Sequence, residues 1–381
     1  MKKDIETEEV LNLLFSFMPK IAGENRLENL LETMADLGKQ LVVADRCSLW
    51  LLDKENNELW TRVAQGLEGI TLRMSADKGF VGYAVQTGES ISIKDAYNDK
   101  RHNPTSDTEN NYRTRSVLVI PIKDTAGEII GAYQAINKLT PPLKGEKHSY
   151  FSERDREFLG LTAVYSGKTL ESAILMNEIE RTQREALFMM GEISESRSRE
   201  TGNHVKRVAQ YCRLLGKYYG MPKSELELMV LASPMHDVGK VATPDSILKK
   251  PGRLTDEEFD EMKRHTIIGY EVMKRSPTRV FQEAAIIAYT HHEKWNGFGY
   301  PNGLSGVDIP INGRICAVAD VFDALSNDRC YKKAWPLEKV IALFEEEKGE
   351  HFDPDIAQIL LDNIDRFEEI NFKYHDEFIE E

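Results

Sequence analysis

The hydrophobic positions along this chain change their period. Val10, Leu11, Leu13, Leu14, Phe15, Phe17 and Met18 predict a short amphipathic helix over residues 5–18 that ends near Pro19, in an N-terminal segment 1–19. Leu27, Leu30, Leu31, Met34, Leu37 and Leu41 recur at helical spacing over residues 26–42. The texture then shortens to that of strands. Residues 47–52 and 59–64 flank the turn Lys54-Glu55-Asn56-Asn57 and predict a hairpin. Residues 79–85 start a short helix, 91–93 read as a strand, and the polar stretch 97–115 reads as a loop. Residues 116–122 and 128–137 predict two more strands around the turn Asp124-Thr125-Ala126-Gly127.

From Phe151 the pattern is helical. Residues 153–200 hold no proline and only isolated glycines, which predicts one long helix or two in close succession. Phe158, Leu161, Tyr165, Leu175, Ile179, Ala186, Met189 and Ile193 fall on a heptad seam interrupted by Lys168, Ser172 and Thr182. Such a seam either packs a helix onto its own domains or pairs it with the same helix of a second copy. The second case predicts a homodimer joined through the connecting helix. Further helical patterns follow, through Val205, Val208, Tyr211, Leu214 and Leu215, over 226–233, and after the capping box Thr255-Asp256-Glu257-Glu258.

Composition narrows the class. A chain of 381 residues is long enough for two domains with separate cores, and 41 % hydrophobic content is ordinary for a soluble protein. No long uninterrupted apolar run predicts a membrane span, and the opening Met1-Lys2-Lys3-Asp4-Ile5-Glu6 lacks the apolar centre of a signal peptide. Cys47, Cys212, Cys316 and Cys330 are scattered without a Cys-x-x-Cys pair, which predicts a reducing, cytoplasmic setting. The net charge of −14 argues against polymeric nucleic acid as a partner. It leaves room for a small phosphate ligand, because divalent cations would reverse the field inside a pocket.

The chemistry-bearing residues cluster in the second half. His204, His236, His265, His291 and His292 lie between residues 204 and 292. Glu200 precedes His204 by four residues, so on a helix both lie on one face. Asp237 follows His236, and Asp320 lies in an apolar helical stretch. If His236 and Asp237 are helical, they project about 100° apart and serve one cluster when the carboxylate bridges. These imidazoles and carboxylates exceed one mononuclear site. They suggest two or three divalent ions bridged by carboxylate, and hydrolytic chemistry on a phosphate.

Two resemblances add to this reading. Residues 20–175 resemble a GAF domain, the small-molecule sensor module, through Cys47-Ser48-Leu49-Trp50-Leu51-Leu52-Asp53, Gly79-Phe80-Val81-Gly82, Val117-Leu118-Val119-Ile120-Pro121-Ile122 and Gly131-Ala132-Tyr133-Gln134-Ala135-Ile136-Asn137-Lys138. The resemblance implies an α+β domain, an antiparallel sheet with flanking helices, and a small-molecule ligand of unknown identity. Asn137-Lys138 followed by Phe151-Ser152-Glu153-Arg154-Asp155 matches in part a motif that mainly braces structure in that family; Arg156 stands where the motif ends in Glu.

Residues 185–365 resemble the HD-GYP family of phosphohydrolases. The carrying motifs are Glu200-Thr201-Gly202-Asn203-His204, His236-Asp237-Val238-Gly239-Lys240, Lys263-Arg264-His265-Thr266, and His291-His292-Glu293-Lys294-Trp295-Asn296-Gly297-Phe298-Gly299-Tyr300-Pro301. Asp320-Val321-Phe322-Asp323-Ala324-Leu325 and Arg329-Cys330-Tyr331-Lys332 complete them, with Cys330 where the family usually has proline. The resemblance implies an all-α domain, joined to the first by the long helix 153–200, that hydrolyses cyclic di-GMP to pGpG or GMP. Residues 366–381 read as an acidic C-terminal tail.

On this resemblance His204, His236, Asp237 and Asp320 would surround one ion, and Asp237, His265, His291 and His292 the next. Glu200 makes a third plausible. Iron is the first expectation and manganese the second, although this donor set also suits zinc and nickel. Lys240 is assigned to the scissile phosphate or the leaving oxygen. Arg329 and Lys332 would grip the ligand's phosphates. Asp323 is expected behind the ligands, holding a lysine or a histidine. Tyr300 would contact a guanine or simply pack. Two other readings stay open: a non-catalytic cyclic di-GMP-binding scaffold, and an HD-type di-iron oxygenase.

Overall fold

The computed structural model describes residues 4–24, 26–62, 71–104, 107–108, 111–198, 202–328 and 333–375. The chain divides into two compact units, Met1–Glu180 and Arg181–Glu381.

The first unit is built on a six-stranded antiparallel sheet in the order β3-β2-β1-β6-β5-β4. Its strands are β1 Ala44–Asp53, β2 Glu58–Arg62, β3 Thr71–Ser75, β4 Ile91–Ile93, β5 Val117–Lys123 and β6 Ile129–Lys138. Successive side chains of a strand face opposite ways. In β5, Leu118, Ile120 and Ile122 therefore join Leu49, Tyr133 and Ala135 against α1 (Thr7–Ala22), α2 (Leu27–Leu41) and the start of α4 (Glu153–Ser196). Val117 and Val119 point the other way and pack with Trp50, Leu59 and α3 (Gly79–Thr87). The α+β class read from the sequence is the one observed.

Some expectations need correction. The first helix does not end near Pro19 but runs on to Ala22, with Pro19 inside. Proline there removes the donor that would reach back to the Phe15 carbonyl, at a position where Phe15 is exposed. Strand β3 was not foreseen. It is an edge strand with Thr71, Leu72 and Arg73 exposed, and its apolar signal is correspondingly thin.

Helix α4 is one continuous helix of 44 residues. Its buried face is Leu159, Ala163 and Leu170, whereas Leu161, Leu175, Ile179, Met189 and Ile193 of the heptad seam are exposed. The partial GAF motif forms a brace. Lys138 Nζ is buried 2.7 Å from Asp155 Oδ1 and 3.1 Å from the Val42 carbonyl oxygen, and the Asn137 side chain ties together Arg113, Arg115 and Tyr112. Beneath the α3 face lies a cavity of about 210 Å³ walled in part by Trp50, Phe80, His102 and Tyr112, with Arg46 and Lys78 at its lining. His102, from the polar stretch 97–115, stands here, 5.8 Å centroid to centroid from the Phe80 ring.

The second unit is helical. After the last turns of α4 come α5 (Gly202–Tyr219), α6 (Lys223–Ala232), α7 (Asp256–Met273), α8 (Arg279–Thr290), α9 (Ile311–Ser326), α10 (Leu337–Glu346), α11 (Pro354–Asp362) and α12 (Ile364–Lys373). Tyr211, Phe322 and Phe367 pack with ring centroids 5.1–5.3 Å apart at the centre of a core that includes Leu215, Met229, Ile287, Ile315 and Phe344. Residues 366–373 are thus not a tail. Phe367 is fully buried and holds α12 on α5, and 376–381 lie outside the described residues. Among the described residues no helix is long and apolar enough to cross a membrane.

Candidate metal centre

The histidines converge because several helices and a pair of short turns meet at one place. His204 lies in the first turn of α5, His265 within α7, His291 at the C-terminal cap of α8 with His292 next, and Asp320 within α9. The His236-Asp237 pair is not on an α-helix. His236 caps the 3-10 turn Ser233–Met235, and Asp237 caps the 3-10 turn Val238–Ala242. Gly239 lets the second turn press on α7, since a Cβ there would overlap the His265 carbonyl oxygen. Side chains three apart eclipse in a 3-10 turn. Lys240 therefore lies over Asp237, with Nζ 2.6 Å from Oδ2.

The imidazoles are oriented by their outer nitrogens. Nδ1 of His236 lies 2.9 Å from the Ser233 carbonyl oxygen, that of His265 2.7 Å from Met262, and that of His291 3.1 Å from both Ile287 and Ala288. A carbonyl only accepts, so each Nδ1 carries a proton and each Nε2 is the nitrogen turned inward. Among the described residues, those three Nε2 atoms and Asp237 Oδ1 are buried without a hydrogen bond. Buried polar atoms are normally paired, and this convergence is the feature a cation would satisfy.

Asp237 divides the ring. Its Oδ1 faces Nε2 of His265 at 3.1 Å and of His291 at 3.5 Å, and its Oδ2 faces Nε2 of His236 at 3.3 Å. Ligand atoms of Asp237, His265, His291 and His292 all lie within 4.8 Å of one another. Asp320 Oδ1 stands on the other side, 3.8 Å from His204 Nε2 and 4.0 Å from His236 Nε2. Asp323 lies behind His204: Oδ2 is 2.8 Å from Nδ1, while the Arg207 guanidinium donates to both carboxylate oxygens at 2.6 and 3.0 Å. Glu200, Arg329, Cys330 and Lys332 lie outside the described residues.

Sequence reasoning passed over residues that the structure puts at this centre. Glu195, in α4, is buried, and one of its carboxylate oxygens lies within 4.8 Å of ligand atoms of His204 and His236. Arg207 stands three residues after His204 on the same helical face, a spacing that was there to be read. Glu293 is also buried, accepting the Asn302 N–H at 2.8 Å and the Leu304 N–H at 3.0 Å, and so folds the loop that carries Tyr300. The Tyr300 ring packs 4.7 Å from His292 and 6.0 Å from Phe259, while Phe298 in the same loop is exposed.

Electrostatics favour a bound cation. Burial alone would raise the Asp237 carboxyl, but Lys240 and the imidazoles of His236 and His265 hold it well below the usual range. Burial lowers the His236 imidazolium, yet Asp237, Asp320 and Glu195 outweigh it and push its pKa up to about 10. Burial keeps His291 and His292 below the ordinary value, with neighbouring imidazoles adding to it at His292. Burial also raises the Tyr300 hydroxyl, helped by Asp237 and Asp320. His291 and His292 are thus neutral and ready to ligate, whereas His236 must exchange a proton for a metal ion.

The chain matches the HD domain family model over residues 188–356 and the GAF domain family model over residues 26–169. It is 48 % identical over 216 residues to the 3'3'-cGAMP-specific phosphodiesterase 2 of Vibrio cholerae serotype O1, covering 57 % of this chain and 41 % of that one. It is 42 % identical over 204 residues to the cyclic di-GMP phosphodiesterase response regulator RpfG of Xanthomonas campestris pv. campestris, covering 53 % and 54 %. A probable cyclic di-GMP phosphodiesterase of Vibrio cholerae serotype O1 is 33 % identical over 313 residues, covering 75 % of this chain and 68 % of that one. The chain spans about half the length of the first two of these relatives.

Metal uptake has a predicted proton signature. With its pKa about 10, His236 is an imidazolium at pH 8 when no ion is bound, and a metal needs the neutral ring, so affinity rises with pH. Calorimetric titration of chelator-stripped protein with Mn²⁺ at pH 8, in two buffers of different ionisation enthalpy, is expected to show about one proton released per chain. Heats that do not depend on the buffer would remove His236 from the ligand set.

Proposed function

We propose that this chain, which belongs to the HD-GYP family of HD-domain phosphodiesterases and carries a GAF domain ahead of its HD domain, hydrolyses cyclic di-GMP to the linear dinucleotide pGpG, to GMP, or to both. The observation that carries this is the bridging placement of Asp237 between buried imidazole Nε2 atoms that all point inward. The donors fit two divalent ions. His204, His236, Asp237 and Asp320 would hold one, and Asp237, His265, His291 and His292 the other. Glu200 would add a third. Iron is the first expectation and manganese the second. Bound ions would supply Lewis acidity at the phosphoryl oxygens and lower the pKa of an attacking water.

The chain's own side chains do the rest. Asp237 keeps the two ligand sets in register. Asp323, with Arg207 behind it, fixes the His204 tautomer and ring plane. Lys240 presents an ammonium beside Asp237, where a scissile phosphate or the leaving oxygen would meet it. Arg329 and Lys332 are assigned to the outer phosphate oxygens. Tyr300, packed on His292 beside the centre, walls the place where a base would lie. A second substrate, 3'3'-cGAMP, is favoured by the relative that is 48 % identical and named for it.

The first unit is assigned a regulatory role. Its cavity joins aromatic walls to Arg46 and Lys78, which suits a small organic anion. Leu161, Leu175, Ile179, Met189 and Ile193 leave α4 with an exposed apolar stripe that fits a second copy of the same helix in a homodimer. The scattered cysteines agree with a cytoplasmic location.

Anaerobically prepared, metal-replete protein is expected to convert cyclic di-GMP to pGpG or GMP, with 3'3'-cGAMP as a parallel substrate. Asp237→Ala should lower turnover at least about a hundredfold, and should lose metal. Absence of any linear product from wild-type protein with either dinucleotide would sink the enzyme reading, and normal metal content in the variant would refute the bridging role. A Leu175→Cys variant should form a disulfide-linked dimer under mild oxidation; a chain that stays monomeric at all concentrations would exclude the helix pairing. Small organic anions that change turnover should lose that effect in Trp50→Ala.

A further inference from the structure

We infer that Glu195 and Arg197, at the end of α4, are positioning residues that hold Lys240 and its loop in place over Asp237. The inference rests on the phosphodiesterase reading above, in which Lys240 acts at the phosphate. A lysine ammonium sits on a flexible four-carbon stem and has no fixed geometry of its own. Here both carboxylate oxygens of Glu195 lie 3.3–3.4 Å from Lys240 Nζ, and Asp237 Oδ2 lies 2.6 Å away. Glu195 is buried, and Ser198 Oγ donates to its Oε2 at 2.9 Å. A buried carboxylate held at Oε2 by Ser198, with both oxygens turned to Nζ, aims the ammonium.

Neighbouring residues of the same helix end grip the backbone on either side of Lys240. Ser194 Oγ donates to the Asp237 carbonyl oxygen at 3.1 Å. The Arg197 guanidinium donates to the carbonyls of Lys240, Val241 and Thr243, and it pairs with Asp245 at 2.8 Å. The Lys240 carbonyl also accepts the Thr243 N–H that closes the 3-10 turn, at 3.0 Å, and Arg197 adds side-chain donors to it and to the carbonyls beyond. Gly191 permits the approach, since a Cβ there would overlap the Pro234 carbonyl oxygen. The segment 237–243, with its metal-facing aspartate and its lysine, is therefore held from outside by α4.

The test uses the full chain, with Glu195→Gln, Lys240→Gln and the double variant. If Glu195 acts through Lys240, E195Q keeps its metal and a KM within about twofold of wild type while kcat falls about 10- to 100-fold. The double variant is then no slower than K240Q, because the two residues act as one unit. Glu195→Asp, which keeps the charge, recovers part of the loss. Additive losses, an unchanged kcat in E195Q, or loss of metal from E195Q would each overturn the proposal, the last by making Glu195 a ligand. A wild-type protein without turnover would sink the phosphodiesterase reading instead. The crystal structure of E195Q decides the positioning in either event: Lys240 Nζ leaves its place beside Asp237 Oδ2 if Glu195 holds it, and stays if it does not.

Discussion

The carboxylate of Asp237 is buried between imidazole nitrogens, and the second unit is arranged around that charge. A lone carboxylate taken out of water is costly unless cations or donors meet it. Here Lys240 meets one oxygen, His236 stands beside the same oxygen, and His265 and His291 face the other. The backbone carbonyls behind the imidazoles fix which nitrogen turns inward. The consequence is a centre where the Nε2 atoms of His236, His265 and His291 and Oδ1 of Asp237 are oriented inward without a hydrogen bond among the described residues, which is what a metal site needs from its protein. Close packing follows from the same demand, because the turn carrying Asp237 reaches α7 only where Gly239 leaves room for the His265 carbonyl.

Behind the imidazoles a second layer of charge is also buried. Asp323 and Arg207 form a bidentate pair against His204, and Tyr374 and Asn327 complete its hydrogen bonds. Removing one partner of such a pair strands the other in the core, at about 3–5 kcal/mol. The arrangement holds a ring plane as well as a fold. Glu293 does comparable work on the far side, where its carboxylate takes two backbone N–H groups of the loop that brings Tyr300 to His292.

Much of this was legible in the sequence because the ligand types are rare and their spacings are tied to helices. Five histidines with carboxylates beside them point to a multinuclear site before any fold is known, and the capping box at Thr255 opens the helix that carries His265. What escaped was what depends on tertiary burial. Glu195 sits in a helix of mostly exposed polar residues, and nothing local separates a buried glutamate from a solvated one. The α-helical geometry on which the His236-Asp237 projection was conditional is not met, because the pair lies between two 3-10 turns that contain Pro234 and Gly239. Most of the final helix looked like an acidic tail because its anchoring positions, Ile364, Phe367 and Ile370, are sparse among charges. In the first unit, the five other strands stood out as short apolar runs between turns, while the edge strand β3, exposed over most of its length, left too little pattern to find.

The most direct test is a crystal structure of metal-replete protein, prepared without oxygen, with anomalous data collected across the iron and manganese edges. The account predicts at least two anomalous peaks, one on either side of the Asp237 carboxylate, the first within coordination distance of His236 Nε2 and the second of His265 and His291 Nε2. A metal-replete crystal with no peak between Asp237 and these nitrogens would contradict it.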